Sequence, residues 1–367
     1  MCKQLLIIIS FYLTCFAQAV KVPQIEFAPK EYICYRTNQH ITIDGKLDED
    51  DWNKAEWTEN FVDIRGEAKL LPRFCTKVKM LWDKKYFYVA AKLEEPDVWA
   101  TITTKDDTIF NDNCFELFID PDGDTYNYCE LEINALNTIW DLLLLKPYRD
   151  MKNPGITNWY IDGLKKGISI CGTLNEPGDK DSCWIVELAL PWETFNELSS
   201  VNIPPKDNDQ WRINFLRVEW MSEVINRNYI KKVNPLAQKP IVNFWSWSPQ
   251  GIVNMHYPEM WGFVQFSNEL VGKENISFIK RKEEQAKWFL RQIYYAERNY
   301  FEKEKKYCKD LSVLGIKYSP FDGYSANPII EFTPTTFQAY IVSDDQIKKV
   351  IIQNDGQIII DYINLNY

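Results

Sequence analysis

The chain reads as an all-β protein, an antiparallel β-sandwich followed by a small α+β appendage built on one long helix. Three observations predict this. Between about residues 32 and 266, short runs with apolar side chains at alternate positions are separated by Gly, Pro, Asn and Asp. Half-buried strands joined by turns have that signature, and strands at this spacing belong to a sandwich or barrel. Residues 279–308 contain no Pro or Gly and are rich in Lys, Glu, Arg, Gln and aromatic residues, which predicts an amphipathic helix. Behind it, alternation returns in three segments, the last broken by Asn354-Asp355-Gly356, a strong hairpin turn.

Taken in order, the chain starts with Met1-Cys2-Lys3, an apolar run Leu5-Leu6-Ile7-Ile8-Ile9 and the small-x-small Ala17-Gln18-Ala19. This reads as a secretory signal peptide cut after Ala19, placing the mature protein outside the cell, in the periplasm or on the cell surface. Residues 48–57 predict a short helix. Lys77 to Trp82 and Tyr86 to Ala91 form two arms of a hairpin. Trp184, Val186, Leu188 and Leu190 alternate along a strand, and Pro191-Trp192-Glu193 opens a second short helix. The strand from Trp211 to Trp220 changes parity near Phe215-Leu216, which predicts a β-bulge. The organisation expected is a signal peptide (1–19), a sandwich (20–267) and a helix-plus-hairpin appendage (268–367).

Composition excludes several chemistries. Beyond Ala19 the charge is about −11, because the 42 basic and 52 acidic residues of the chain lose only Lys3. That opposes nucleic-acid binding, which phosphate contacts dominate. No later segment is long and apolar enough to span a membrane. Two histidines, His40 and His256, exclude a multi-histidine metal centre, and there is no Gly-x-Ser-x-Gly elbow, phosphate loop or dinucleotide fingerprint. Seven cysteines follow Ala19. An odd count without zinc spacing is not a disulfide framework, although Cys171 and Cys183 flank a turn and either pair across it or stay free thiols.

The most informative segment is residues 113–141. Phe115, Leu117 and Ile119, with Leu131 and Ile133, take one face of a hairpin; Glu116, Glu132 and Asn134 take the other. A turn near Asp124 sets Glu116 opposite Glu132. Like charges directly opposite are destabilising, so the pair suggests a polar site completed by an arginine, a cation or a sugar. In the turn, Asp120, Asp122 and Asp124 resemble the start of a calcium loop, but Gly123 precedes Asp124 and position twelve would be Leu131. It is not an EF-hand; a polar turn and a looser Ca²⁺ site both remain open. Aromatic residues make up 15% of the chain. Trp82, Trp184 and Trp211 lie in strand patterns and belong to the core. Trp245 and Trp247 lie in the loop-like Asn243-Phe244-Trp245-Ser246-Trp247-Ser248-Pro249, where exposed rings would stack on a sugar face.

These residues resemble a known group. Ile43-Asp44-Gly45-Lys46-Leu47-Asp48, Leu81-Trp82-Asp83 with Tyr86-Phe87-Tyr88-Val89, the hairpin from Phe115 to Asp124, Val186-Glu187-Leu188-Ala189-Leu190-Pro191-Trp192 and Trp261-Gly262-Phe263-Val264 occur in the order found in family 9 carbohydrate-binding modules. The fuller pattern is similar to secreted family 9-like proteins of Bacteroidota. The resemblance implies a β-sandwich that grips a sugar between two tryptophans without catalysis, often with structural calcium. Carried over by position, the hairpin glutamate is Glu116, the first stacking ring falls near Phe110, and the second near Met255 beside His256. The family's arginine on the second hairpin strand falls on Glu132, reversing its charge, and an amide position falls near Arg217. One repair is that Arg217 sits between Glu116 and Glu132 while Trp245, Trp247 or Trp140 replaces the missing platform.

The expected function is therefore non-catalytic binding of an oligo- or polysaccharide in polysaccharide breakdown. Glu116, Glu132, Asn134 and Arg217 would address hydroxyls and Phe110, Trp245 and Trp247 the ring, with His256 a further carbohydrate-binding candidate. Asp120, Asp122 and Asp124 are the candidate Ca²⁺ ligands. Two alternatives stand beside it: a glycoside hydrolase using a carboxylate pair, and an assembly protein whose C-terminal helix holds a protein partner.

Overall fold

The computed structural model describes residues 19–363; the signal-peptide expectation falls almost wholly outside them. The strands that matter are β1 (Glu31–Arg36), β2 (Thr76–Trp82), β3 (Tyr86–Glu94), β4 (Cys114–Asp120), β5 (Tyr128–Asn134), β6 (Ile139–Leu144), β7 (Lys165–Cys171), β8 (Cys183–Pro191), β9 (Gln210–Trp220), β10 (Val242–Ser246) and β11 (Gly262–Leu270). They form one hydrogen-bonded path, β6-β5-β4-β9-β11-β1-β2-β3-β8-β7, with β10 added to the outer half of β9. The path doubles over, so that Phe115, Leu117, Ile119, Leu131 and Ile133 from one half share a core with Val78, Met80, Val89, Val186 and Leu188 from the other. This is the expected sandwich. Its pairings are antiparallel except at β1, which runs parallel to both β11 and β2. The 39-residue connection from Arg36 to Thr76 is long enough for the crossover that a parallel neighbour requires.

Each outer face carries a further apolar layer. On one, α1 (Asp50–Lys54) seals Trp52 against Leu81, Tyr88 and Ala189. On the other, Phe118, Tyr128, Leu142, Leu216 and Val218 lie beneath Met255 and Trp261. Strand β9 is consequently buried on both sides, and its pairing with β4 runs without a register shift from Arg212 to Val218. The predicted bulge is absent. The change of parity arises because Leu216 and Val218 serve the outer layer while Arg217 and Glu219 point into the sandwich as a buried ion pair, 2.8 Å apart.

Helix α2 (Lys282–Glu304) ends where Lys305 turns left-handed. Its stripe Ala286, Phe289, Leu290, Ile293 packs on a four-stranded sheet, β12 (Ile329–Phe332), β13 (Phe337–Val342), β14 (Lys348–Gln353) and β15 (Ile358–Tyr362). The hairpin at Asn354-Asp355-Gly356 joins β14 and β15 as predicted. Charged groups bind this unit to the sandwich. Arg298 meets Asp150 at 2.6 Å and Arg149 meets Glu259 at 3.0 Å, while Tyr294 and Tyr295 donate to Asp150 and Glu259.

Candidate functional site

Alternation along β4, β5, β6 and β9 brings one row of side chains to the outer face. Glu116 is directly opposite Glu132, as the sequence predicted. Beyond this pair lie Trp140 on one side and Leu216 on the other. The adjacent row holds Phe118 opposite Glu130, which faces Leu142. Together these residues floor a cavity of about 320 Å³, walled by Phe110, Tyr148, Val253, Met255 and His256. That volume is at the small end for ligand cavities, and its mainly apolar lining with a few convergent polar groups is the usual form.

The polar content is carboxylate. Glu116, Glu130 and Glu132 are all buried, and no Lys or Arg is among the lining residues. Glu132 accepts a hydrogen bond from the Phe110 amide at 2.8 Å, and the Cys114 thiol donates to Glu116 at 3.6 Å. Glu130, among the described residues, has neither a hydrogen bond nor an ion pair. Burial pushes the Glu116 carboxyl up to about 8. Glu130 and Glu132 are also raised well above the ordinary range, first by burial and then by the charge of Glu116. His256 is pushed down to about 3 by burial and by Arg149 behind it, so its ring is neutral. It shares a hydrogen bond between Nδ1 and the Tyr128 hydroxyl at 3.0 Å.

Of the residues expected here, Phe110, Glu116, Glu132 and His256 line the cavity; Asn134, Arg217, Trp245 and Trp247 do not. Arg217 is opposite Phe115, and successive strand residues point to opposite faces, so it projects away from Glu116. Inside the sandwich it bonds Glu95 and Glu219, each at 2.8 Å, and the carbonyl of Glu94. The proposed charge repair between Glu116 and Glu132 is thereby excluded. Trp245 and Trp247 are 3% and 0% exposed. Trp245 lies on β10, edge-on to Phe74 and beneath the Arg217 guanidinium. Trp247 packs against Phe215 and donates its indole N–H to Glu59. Part of the apparent loop is the strand β10, and Trp245 on it and Trp247 just past it both turn inward. Asn134 is consumed in holding a turn: its amide donates to Ile102 O and Asp112, and its oxygen accepts from Leu136 and Thr138. Sequence reasoning missed Glu130 and Tyr148. Glu130 was findable, since it shares parity with Glu132.

In the acidic turn, Asp120, Asp122 and Asp124 bring carboxylate oxygens within 4.8 Å of one another. Asp120 is fully buried and accepts from the Gly123 and Thr125 amides, both at 3.0 Å. Burial and then the neighbouring charges raise the carboxyls of Asp120 and Asp124, the latter to about 6. A cation would relieve that repulsion, and an all-oxygen donor set suits Ca²⁺.

Residues 43–159 match the family described as carbohydrate family 9 binding domain-like. Exoglucanase XynX of Acetivibrio thermocellus is 26% identical over 161 residues, 44% of this chain but 12% of that enzyme; the chain thus spans a small part of its relative. Among solved structures, a presumed carbohydrate-binding protein from Bacteroides uniformis superposes with a TM-score of 0.48 at 17% identity, over 65% of this chain and 100% of the other. A family 9 carbohydrate-binding module from Caldicellulosiruptor kristjanssonii, solved with cellotriose, gives 0.41 at 14% identity, over 69% and 100%. The family match begins at the Ile43-Asp44-Gly45 motif and reaches through the hairpin that floors the cavity, so this part of the chain is similar to the carbohydrate family 9 binding domain-like family.

Proposed function

We propose that this protein binds a carbohydrate residue in the cavity over β4, β5, β6 and β9 and does not transform it. One observation carries the reading: the in-register pair Glu116–Glu132 floors a cavity whose walls include the rings of Phe110, Trp140 and Tyr148. Carboxyl groups bond sugar hydroxyls, and aromatic faces cover the apolar face of the ring. The two carboxyls sit side by side on one surface, their oxygens within 4.8 Å of each other, whereas hydrolysis needs an acid and a base or nucleophile flanking the scissile bond. Secretion and a place in polysaccharide breakdown agree with the N-terminal sequence and with the exoglucanase relative. Asp120, Asp122 and Asp124 would hold a structural Ca²⁺. The apolar stripe of α2 is covered by the chain's own β13 and β14, which removes the feature that would have favoured a protein partner there.

The test is a glycan array followed by calorimetry, with Glu116→Ala beside the parent protein. Binding that the substitution weakens at least tenfold supports the reading. A folded protein silent across the array, or one whose binding is indifferent to Glu116, overturns it.

A further inference from the structure

The cavity is unusual in its carboxyl content. Glu116, Glu130 and Glu132 converge on a floor where no basic side chain answers them. Glu130 is 6% exposed, aimed into the cavity, and without a partner among the described residues. Glu132 uses one oxygen on a backbone amide and Glu116 one on a weakly donating thiol, so each keeps an oxygen for a ligand. The positively charged groups nearby are turned away. Arg217 projects through the opposite face onto Glu95 and Glu219, and Arg149 is held behind His256 by Glu259 and Asp150. His256 is neutral and contributes no charge. Buried carboxylates are tolerated when a cation pairs with them; among the described residues none does, and the three carboxyls hold their protons instead.

We infer that the ligand supplies it: the cavity selects a sugar bearing a free, protonated amino group, whose ammonium sits among Glu116, Glu130 and Glu132 while Trp140 and Phe110 cover the ring. This rests on the carbohydrate reading above and narrows it. An ammonium presents three N–H donors and no acceptor, and its charge draws the three carboxyls to their ionised form, so that they accept its hydrogen bonds as their protons leave. The same sugar N-acetylated, or one carrying a carboxylate, loses the charge match, and the uronic acid adds repulsion.

The experiment is calorimetry on the full chain with three short oligosaccharides of equal length: a β-1,4-glucosamine oligomer, its N-acetylated counterpart and a β-1,4-glucose oligomer, each with EDTA and with Ca²⁺. Because the chain is acidic, Glu223→Gln on an exposed strand controls for unspecific attraction of the polycation. The expected result is at least tenfold tighter binding of the amino oligomer than of either other sugar. That preference should shrink to threefold or less in Glu130→Gln and persist in Glu223→Gln. Circular dichroism establishes that both variants fold. Equal or tighter binding of the neutral sugar overturns the inference while leaving sugar binding intact. Binding of the neutral sugar only with Ca²⁺ overturns it too, because a metal ion would then supply the charge. Silence toward all three overturns the inference, while the wider carbohydrate reading then stands or falls on the glycan array.

Discussion

Glu116 ties binding to stability through its proton. Its carboxyl ionises at 4.5 when exposed and at about 8 in the folded cavity, so between those values the folded state holds more protons than the unfolded one. Stability is full below 4.5 and falls as the pH rises through 8; Glu130 and Glu132, raised for the same reason, act in the same direction. The melting temperature of the ligand-free protein should drop between pH 5 and pH 8.5. In Glu116→Gln, differential scanning fluorimetry should record a visibly shallower slope. Arg217 is a separate case. Replacing it by Met leaves Glu95 and Glu219 buried without their cation, a change that costs about 3–5 kcal/mol. Urea denaturation should show that loss, and the small amount of variant that folds should bind sugar unaltered. The site was half legible in the sequence, for a physical reason. Of the positions carried over from the family pattern, Phe110, Glu116, Glu132 and the Met255–His256 pair reach the cavity, and Arg217 does not. Those chosen because Trp, Arg or Asn suits sugars did not, because a polar residue in a strand is as readily buried in an ion pair or a turn as aimed at a ligand.

At the level of elements, alternation located the strands well because its period is set by the backbone and not by neighbours. It failed at β9, whose two buried faces mimicked a bulge, and at β10, half-buried over Val242–Phe244 and read as a loop. Trp247, just past β10, also shows why one glycine is needed. A Cβ on Gly262 would lie 2.3 Å from the indole of Trp247, so β11 reaches its place between β9 and β1 only without a side chain there. Gly262→Ala should destabilise by about 1–3 kcal/mol through overpacking and disturb the Trp fluorescence. Unchanged stability would mean that the indole yields without cost.

Across the whole molecule, the acidic turn is where the sandwich meets the tail. Gln357 donates to Asp124, the Ile358 amide to the Asp124 carbonyl, and the Thr125 hydroxyl to the Gly356 carbonyl. If Asp120, Asp122 and Asp124 bind Ca²⁺, saturation at a hundredfold excess over Kd adds about 2.7 kcal/mol, a rise of a few degrees in melting temperature. EDTA should reverse the rise and Asp122→Asn should abolish it; a melting temperature indifferent to Ca²⁺ would leave the cluster a polar turn. Nothing in the strand pattern foretold this junction, since it joins residues more than two hundred positions apart.

The clasp between Asp124 and the Gly356 turn also bears on evolution by recombination. A binding module traded between enzymes travels best when its ends are free and its surface is its own. Here the segment after β11 folds back to cover a buried aspartate cluster of the sandwich, while Val20, ahead of β1, is pinned to Asn299 of α2. A sandwich cut free of this tail would expose those contacts to water, so the clasp works against its transfer alone.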